Sequence, residues 1–162
     1  MAKRNNKGEW LWAKSASGSS STNNINSKSL VVDDSGNSYI TGAFKGTATF
    51  GTITLTSKTT YSFDAFIAKL DKDGNWLWVK RVGDTRNDSG NSLKLDSSGD
   101  LYLTGDFEGV ATFGTTTLTS EGSSDIFVAK LDKDGNWLWV KSAGFSAPEK
   151  SYAIDVDKSG NS

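Results

Sequence analysis

The chain of 162 residues contains no cysteine and no histidine. Without thiols it can form no disulfide, no thiolate nucleophile and no cysteine-ligated metal centre. Without imidazole it cannot carry a Ser-His-Asp triad or a histidine-ligated zinc or haem site. These two absences exclude the commonest nucleophilic and transition-metal chemistries, and carboxylate chemistry is the catalytic class that remains to be weighed.

Proline, basic clusters and long apolar runs are scarce. One proline and six tryptophans argue against disorder, which is typical of chains with few aromatics. The formal net charge is −1 and the one basic cluster is the short start MAKRNNK, so the sequence predicts no nucleic-acid partner. No apolar run approaches the roughly 18 residues that a membrane helix needs, so we expect no membrane insertion. No apolar segment follows the basic start, so no signal peptide is visible.

The chain repeats itself. AKLDKDGNWLWVK at residues 68–80 returns unchanged at residues 129–141, and a divergent copy, MAKRNNKGEWLWAK, opens the chain. The Trp-Leu-Trp triplets begin at Trp10, Trp76 and Trp137, which gives spacings of 66 and 61 residues. A period of this length indicates a supersecondary unit that is copied along the chain.

Each whole repeat is predicted to contain four strands, named A to D in chain order, at residues 92–96, 101–107, 126–132 and 137–141 of the second repeat. Strand A alternates leucine with polar residues, and strands B and C are apolar on both faces, as in covered central strands. Glycine in SSGD and KDGN supplies the positive φ of a tight turn. No segment has a sustained 3.6-residue period, so no helix is predicted. Four antiparallel strands per repeat of about 61–66 residues are typical of a β-propeller blade, because solenoid coils use shorter repeats.

The blades divide the chain into a single repeat array. We expect a partial blade at residues 1–16 (the end of strand C, then strand D), whole blades at 29–82 and 92–143, and the start of a further blade, a strand A, at 152–162. Propellers typically need about 4–8 blades. The predicted fold class is therefore all-β, with propeller blades that form an incomplete ring in one chain.

A long ordered signature, GN.Y.TG.F.GTATFG...LTS followed by D.F.AKLD..GNWLW, resembles the bacterial seven-bladed β-propeller (SBBP) repeat family. The resemblance covers nearly the whole chain. It implies a large secreted or cell-surface bacterial protein, and therefore an extracellular or cell-surface location. It implies no catalytic residue at any position of this chain.

Asp-rich turns are the candidate metal sites. Carboxylate and amide oxygens at short spacing are the ligands that Ca²⁺ prefers, and they occur in this sequence at Asp71, Asp73, Asp132, Asp134, Asp155 and Asp157. The favoured interpretation is an Asx-turn, in which the first Asp accepts backbone N–H groups while Gly takes the left-handed conformation. No cofactor is therefore expected, and if a metal binds we expect Ca²⁺, held at these turns by oxygen atoms alone.

Four tryptophans, Trp76, Trp78, Trp137 and Trp139, are the candidate binding residues. Side chains at positions i and i+2 of a strand point to the same side of the sheet, where two rings could stack on a sugar. Large aromatics serve cores more often than ligands. We therefore favour packing between neighbouring blades over ligand binding.

No acid/base pair can be named among the carboxylates. Glycosidase chemistry needs two carboxylates whose environments push their pKa values apart. The four glutamates (Glu9, Glu108, Glu121 and Glu149) do not stand in a repeated context, and most aspartates lie in turns. We predict that the chain is not an enzyme. The alternative is a glycoside-hydrolase-like propeller enzyme that uses Asp/Glu chemistry across blades.

Variation between the repeats is confined to one end of the predicted blades. The A–B and C–D turns are nearly invariant, whereas the B–C excursions and D–A links contain the whole length difference of 66 − 61 = 5 residues. Variable loops on a constant scaffold are typical of loop-borne recognition. We therefore predict a structural or binding module of a bacterial surface or secreted protein, with a protein or glycan ligand at the B–C and D–A end.

Both ends of the array present open edges. A strand A at one end and Trp10–Trp12 at the other are open to pairing, so we expect partners in further blades, either of the same longer chain or of a homo-oligomer. The strand B and most of the strand C that would join these ends are missing from the sequence. A segment of a longer repeat protein is therefore favoured over a self-closing oligomer.

Overall fold

Strands and turns make up the chain wherever the structure, a computed structural model, describes it, which is at residues 1–18 and 23–162. The all-β fold class is confirmed, and this part of the chain contains no helix that could span a membrane. The D–A link between the predicted partial blade at residues 1–16 and the first whole blade at 29–82 includes residues 19–22, which lie outside the described residues.

Two four-stranded antiparallel sheets with the same strand order form the body of the molecule. The first sheet contains β4 (Asn24–Val32), β5 (Ser38–Lys45), β8 (Asp64–Leu70) and β9 (Trp76–Val82). The second sheet contains β10 (Asp88–Leu95), β11 (Leu101–Phe107), β14 (Asp125–Leu131) and β15 (Trp137–Ala143). These strands are the predicted A to D in both repeats. Strand A begins earlier than predicted, at Asn24 and Asp88, because its first residues pair with the end of strand B at Lys45 and Phe107.

Each B–C excursion contains a two-stranded hairpin that the sequence analysis did not predict. The strands are β6 (Thr47–Phe50) with β7 (Ile53–Thr56) in the first repeat, and β12 (Val110–Phe113) with β13 (Thr116–Thr119) in the second. Gly51 and Gly114 make the turns at φ of 63° and 62°, a conformation that disfavours side chains. A further short strand, β3 (Ala16–Gly18), pairs with β6.

The two ends of the chain differ from each other in regularity. At the start, β1 (Ala2–Arg4) pairs with β2 (Trp10–Ala13) in a hairpin, within the region of the predicted partial blade. The prediction of a strand A near the other end is wrong, because residues 152–157 belong to no strand. No strand B lies beside this segment among the described residues, so it has no ladder partner. It contacts the second sheet through an ion pair between Lys94 and Asp155 (2.9 Å).

Two core clusters cover the first sheet on both faces. One cluster joins the two sheets, with Tyr39 and Ile67 from the first packed against residues such as Leu103 and Phe127 from the second. The other lies on the opposite face of the first sheet, where Trp12 and other residues of the N-terminal strands cover it. Burial on both faces explains why all seven residues of β8 are buried, as expected of an apolar central strand.

Candidate functional site

The two tryptophans of each Trp-Leu-Trp triplet lie on opposite faces of their sheet, which corrects our prediction that they share one face. The pairing of β8 with β9 shifts register between Lys69 and Leu70, so that Trp78 faces Lys69 and Trp76 faces Leu70. The extra residue of this β-bulge is Leu77, which stays half exposed (49%). A bulge inserts one residue into one strand and breaks the period of two. The same shift occurs between β14 and β15.

Trp76 and Trp137 pack on the excursion hairpin of their own repeat. The Trp76 ring meets the ring of Phe50 edge-on, with centroids 5.0 Å apart, and Trp137 meets Phe113 at 5.3 Å. A Cβ on Gly51 would lie 2.9 Å from Trp76 Cδ1, so glycine is needed there for the ring to approach. These contacts give the first tryptophan of each pair a packing role.

Trp78 and Trp139 lie on the other face, which for Trp78 is the face toward the second sheet. Trp78 contacts Tyr39 and the turn at Gly135, and its buried Nε1 has no hydrogen-bond partner within the described residues. Trp139 contacts Tyr102 with ring centroids 5.8 Å apart but remains 37% exposed. Trp139 is the most exposed of the four candidate tryptophans.

The Asp-rich turns have the hydrogen bonds of Asx-turns. Asp132 Oδ1 accepts the backbone N–H groups of Asp134 (2.9 Å) and Asn136 (2.8 Å), and its Oδ2 accepts the Asn136 amide at 2.8 Å. Asp71 and Asp157 make the same bonds in their own turns. Desolvation acts in the other direction, but these bonds leave the pKa of Asp132 below its usual value. The carboxylates of these turns therefore already have donors for both oxygens.

The remaining calcium candidates, Asp73, Asp134 and Asp155, are not acceptors in these Asx-turn hydrogen bonds. Asp73 pairs with Lys72 at 3.0 Å and Asp155 pairs with Lys94 at 2.9 Å, both at exposed positions. Asp134 is exposed. Across residues 1–18 and 23–162, no group of three or more Asp or Glu side chains is arranged to hold a metal ion.

A polar cavity of about 340 Å³ opens where the first strands of the two sheets approach each other. Its lining contains Lys28, Asn91, Asp106, Lys150, Ser151 and Tyr152. Asn91 is its centre, because the amide accepts a bond from Lys28 Nζ at 2.8 Å and donates to the Asp106 carboxylate and the Ser151 carbonyl. Hydroxyl, amide, ammonium and carboxylate groups therefore converge on one opening.

A second cavity of about 240 Å³ shares Lys28 and Asp106 with the first, and we refer to the two together as the inter-sheet groove. The second cavity is lined by Asn26, Lys28, Ala43, Phe63, Asn87, Asp88, Ser89 and Asp106. Phe63 and Asn87 come from the segments immediately before β8 and β10. The groove therefore lies at the end of the sheets that contains the B–C excursions and D–A links.

Buried carboxylates stand behind this groove. Asp64 and Asp88 begin β8 and β10, and they are 0% and 1% exposed. A Cβ on Gly83 would collide with Asp88 and would lie 3.1 Å from Asp64 Cγ, so both carboxyl groups flank this glycine. Arg81 Nη1 donates to Asp64 Oδ2 at 2.6 Å. One oxygen of each carboxyl group, Oδ1, has no hydrogen-bond partner within the described residues.

Burial decides the charge of this pair. Desolvation, with a smaller contribution from the neighbouring Asp64 and Glu108 carboxylates, raises the pKa of Asp88 to about 8 against two opposing backbone hydrogen bonds. Desolvation also raises the pKa of Asp64, although the bond from Arg81 acts in the opposite direction. Asp88 is therefore largely a neutral carboxylic acid at pH 7, whereas an exposed aspartate is ionised.

Sequence reasoning missed these aspartates, although one signal was available. Asp64 has the copy Asp125, which is 2% exposed and also has an unpartnered Oδ1. A Cβ on Gly144, the copy of Gly83, would likewise collide with Asp125. A carboxylate repeated at the first residue of an apolar strand, with a glycine repeated at the end of the next strand, indicates a buried acid.

Comparison with known proteins gives no assignment: no model of a protein family matches the chain, and no curated protein matches it.

Proposed function

We propose that this chain is a non-catalytic β-propeller repeat module of a bacterial surface or secreted protein, and that it binds a carbohydrate in the inter-sheet groove. The observation that carries the proposal is the convergence of Lys28, Asn91 and Asp106 on one opening between the two sheets. A scaffold of near-identical sheets holds these groups, and binding groups are commonly placed on loops and strand ends above a rigid scaffold.

The propeller arrangement is supported by the repetition of the two sheets. Both have the order A-B-C-D with an excursion hairpin between B and C, and one shared core cluster packs them face to face. Stacked four-stranded sheets of this kind build propellers when the stack closes around an axis. The resemblance to SBBP repeats points in the same direction, and further blades would complete the ring.

A carbohydrate fits the groove better than a protein ligand does because of the mixture of groups. Sugar hydroxyls both donate and accept, so they pair with amides, carboxylates and ammonium groups alike. Phe63 in the groove and the exposed Tyr152 (83%) at its margin provide the flat apolar surface on which a sugar face could stack. Two neighbouring cavities that share Lys28 and Asp106 also suit an extended ligand more than a single ion.

A glycan array followed by titration calorimetry tests the proposal. We expect Tyr152→Ala and Lys28→Ala to weaken binding of the selected glycan about tenfold or more. The matched control is Tyr61→Ala, since Tyr61 is similarly exposed (91%) but does not line the groove. Failure of every glycan to bind, or equal losses in Tyr152→Ala and Tyr61→Ala, would contradict the proposal.

A carbohydrate-active enzyme is the second candidate, and Asp88 is the observation that favours it. A neutral carboxylic acid at pH 7 can act as a general acid, and Asp88 lines the same cavity as Asp106. A panel of chromogenic glycosides separates the candidates. Turnover that disappears in Asp88→Asn while glycan binding persists would favour the enzyme, and binding without turnover by the unaltered chain would favour the module.

A further inference from the structure

A contact between a lysine, a tryptophan and a neighbouring turn is repeated inside the chain. Where the N-terminal hairpin meets the first sheet, Lys3 Nζ and Trp12 Nε1 both donate to the Lys72 carbonyl, at 3.2 and 3.0 Å. The Trp12 ring lies over the same turn, because a Cβ on Gly74 would be 2.8 Å from Trp12 Cδ2. The turn thus offers one carbonyl and one glycine surface to the preceding hairpin.

A similar contact joins the first sheet to the second, without the indole hydrogen bond, since Trp78 Nε1 has no partner within the described residues. Lys69 Nζ donates to the Lys133 carbonyl at 2.8 Å, and a Cβ on Gly135 would be 3.0 Å from Trp78 Cε2. Lys69 and Trp78 are the copies of Lys3 and Trp12, 66 residues further on, and Lys133 and Gly135 are the copies of Lys72 and Gly74, 61 residues further on. The lysine–carbonyl bond and the packing of the tryptophan ring on the turn glycine are therefore properties of the repeat.

A third copy of the donor side lies on the outer face of the second sheet. Lys130 and Trp139 are the copies of Lys69 and Trp78. The Trp139 ring is 37% exposed, and Lys130 Nζ is held by Asp96 and Asp100 of its own sheet at 3.1 and 3.0 Å. The lysine and the tryptophan of the repeated contact are thus present on this face, and no C–D turn covers them among residues 1–18 and 23–162.

A matching turn stands at the other end of the chain. Residues 5–9, the N-terminal turn, have the backbone bonds of the other turns, with Asn5 N–H donating to the Glu9 carbonyl and Gly8 N–H to the Asn5 carbonyl, both at 3.0 Å. Gly8 has φ of 83°, against 84° for Gly74 and Gly135. A Cβ on Gly8 would have nothing within 4 Å, and the adjacent Trp10 is 62% exposed.

We propose that copies of this chain associate head to tail, with the N-terminal turn of one copy seated on Lys130 and Trp139 of another. The Asn6 carbonyl, the copy of the Lys72 and Lys133 carbonyls, accepts from Lys130 Nζ, and Gly8 lies beneath the Trp139 ring. The occupant is fixed by the repeat, because the two exposed surfaces are copies of surfaces that cover each other twice within the chain.

The arrangement of turns in the first sheet indicates where this second copy would sit beside Trp139. In the first sheet the A–B and C–D turns lie side by side, since a Cβ on Gly36 would be 3.4 Å from Lys72 Cβ and 3.6 Å from Lys3 Nζ. On the outer face of the second sheet an A–B turn is already present, because Tyr102 Oη donates to the Gly160 carbonyl at 2.9 Å. The N-terminal turn of the second copy takes the C–D position beside it.

The contact is heterologous, so it generates a ring or an open chain of copies. Sedimentation velocity of the 162-residue protein at a series of concentrations tests it. We expect species heavier than the 17.4 kDa monomer whose fraction rises with concentration. We expect Gly8→Val and Trp139→Gln each to weaken association about tenfold or more while the far-ultraviolet circular dichroism stays the same.

Two matched controls separate docking from folding. Gly99 has φ of 82° and nothing within 4 Å of its Cβ position, so Gly99→Val carries the backbone strain of Gly8→Val outside the proposed contact. Leu138→Gln alters an exposed neighbour of Trp139. Both controls should associate as the unaltered chain does. A monomer at every concentration, or equal loss of association in Gly8→Val and Gly99→Val, would overturn the proposal.

Discussion

Asp88 ties the stability of the fold to pH. In the unfolded chain an aspartate has a pKa of about 3.9, whereas in the folded chain the pKa of Asp88 is about 8. Between these values the folded state holds a proton that the unfolded state has released. The free energy of unfolding therefore falls as pH rises from about 4 to 8. Below pH 4 the unfolded state also holds the proton, so the stability that depends on protonated Asp88 is fully present there.

The substitution Asp88→Asn removes this pH dependence, because the amide keeps the shape of the neutral acid and cannot ionise. We expect urea unfolding at pH 8 to show Asp88→Asn more stable than the unaltered chain by on the order of 5 kcal/mol, the free energy that corresponds to a pKa raised by about four. At pH 4 the two should nearly coincide. Asp134→Asn, at an exposed position, is the control, and a parallel pH profile for Asp88→Asn and the unaltered chain would refute the account.

The turn aspartates have a different role, which is to hold backbone N–H groups. Asp132→Ala removes an acceptor for two backbone N–H groups and the Asn136 amide. We expect it to lower the free energy of unfolding by about 1–2 kcal/mol. Asp134→Ala in the same turn should change stability by less than about 0.5 kcal/mol, because it is an exposed position. Equal losses in thermal or urea unfolding would show that the Asp132 bonds do not stabilise the turn.

Calcium offers a second test of the same turns. Since Asp71, Asp132 and Asp157 already accept donors at both oxygens, a cation would have to replace those bonds. We expect the thermal midpoint to be unchanged by EDTA and by millimolar Ca²⁺. A midpoint that falls with EDTA and recovers with Ca²⁺ would instead support the calcium interpretation of these turns.

At the scale of elements, the excursion hairpins anchor the last strand of each sheet. Phe113 is fully buried, and its ring contacts Phe127 at 4.8 Å and Trp137 at 5.3 Å between centroids. We expect Phe113→Ala to lower the free energy of unfolding by about 3–5 kcal/mol, because it leaves a cavity among aromatic rings. Val110→Ala on the same strand, at a 36% exposed position, is the control for denaturant unfolding. A loss below about 1 kcal/mol in Phe113→Ala would contradict the anchoring role.

The strands and their order could be predicted from the sequence, but some features within them could not. The alternation of strand A and the apolar runs of strands B and C reflect burial that the repeat preserves. The hairpin in each excursion had a signal, since TATFGTITLT alternates around a glycine. The bulge at Leu77 had none, because WLWVK fits an unbroken period of two equally well. The groove and the Asp64–Asp88 pair depend on which segments meet across two sheets, and local pattern does not encode that.

At the scale of the whole molecule, one core cluster is shared by both sheets. Ile67 from β8 is fully buried and lies in the cluster that includes Leu101, Leu103 and Phe127 of the second sheet. In repeat architectures, stability is approximately the sum of terms within repeats and terms between neighbours. A large shared cluster makes the second kind of term important, so the two sheets should unfold together.

A substitution that leaves a cavity between the sheets is therefore expected to weaken their joint unfolding. We expect urea unfolding of the unaltered chain to give coincident transitions by tryptophan fluorescence and by far-ultraviolet circular dichroism, with no helical signal in the latter. Ile67→Ala should lower the free energy of unfolding by about 2–5 kcal/mol. It should also shift the fluorescence and circular dichroism transitions to different urea concentrations, because the sheets lose part of the contact that makes each depend on the other. Leu30→Ala, at a 48% exposed position of β4, should leave the transitions coincident. Two separate transitions in the unaltered chain would mean that each sheet folds on its own, and that the shared cluster adds little to either.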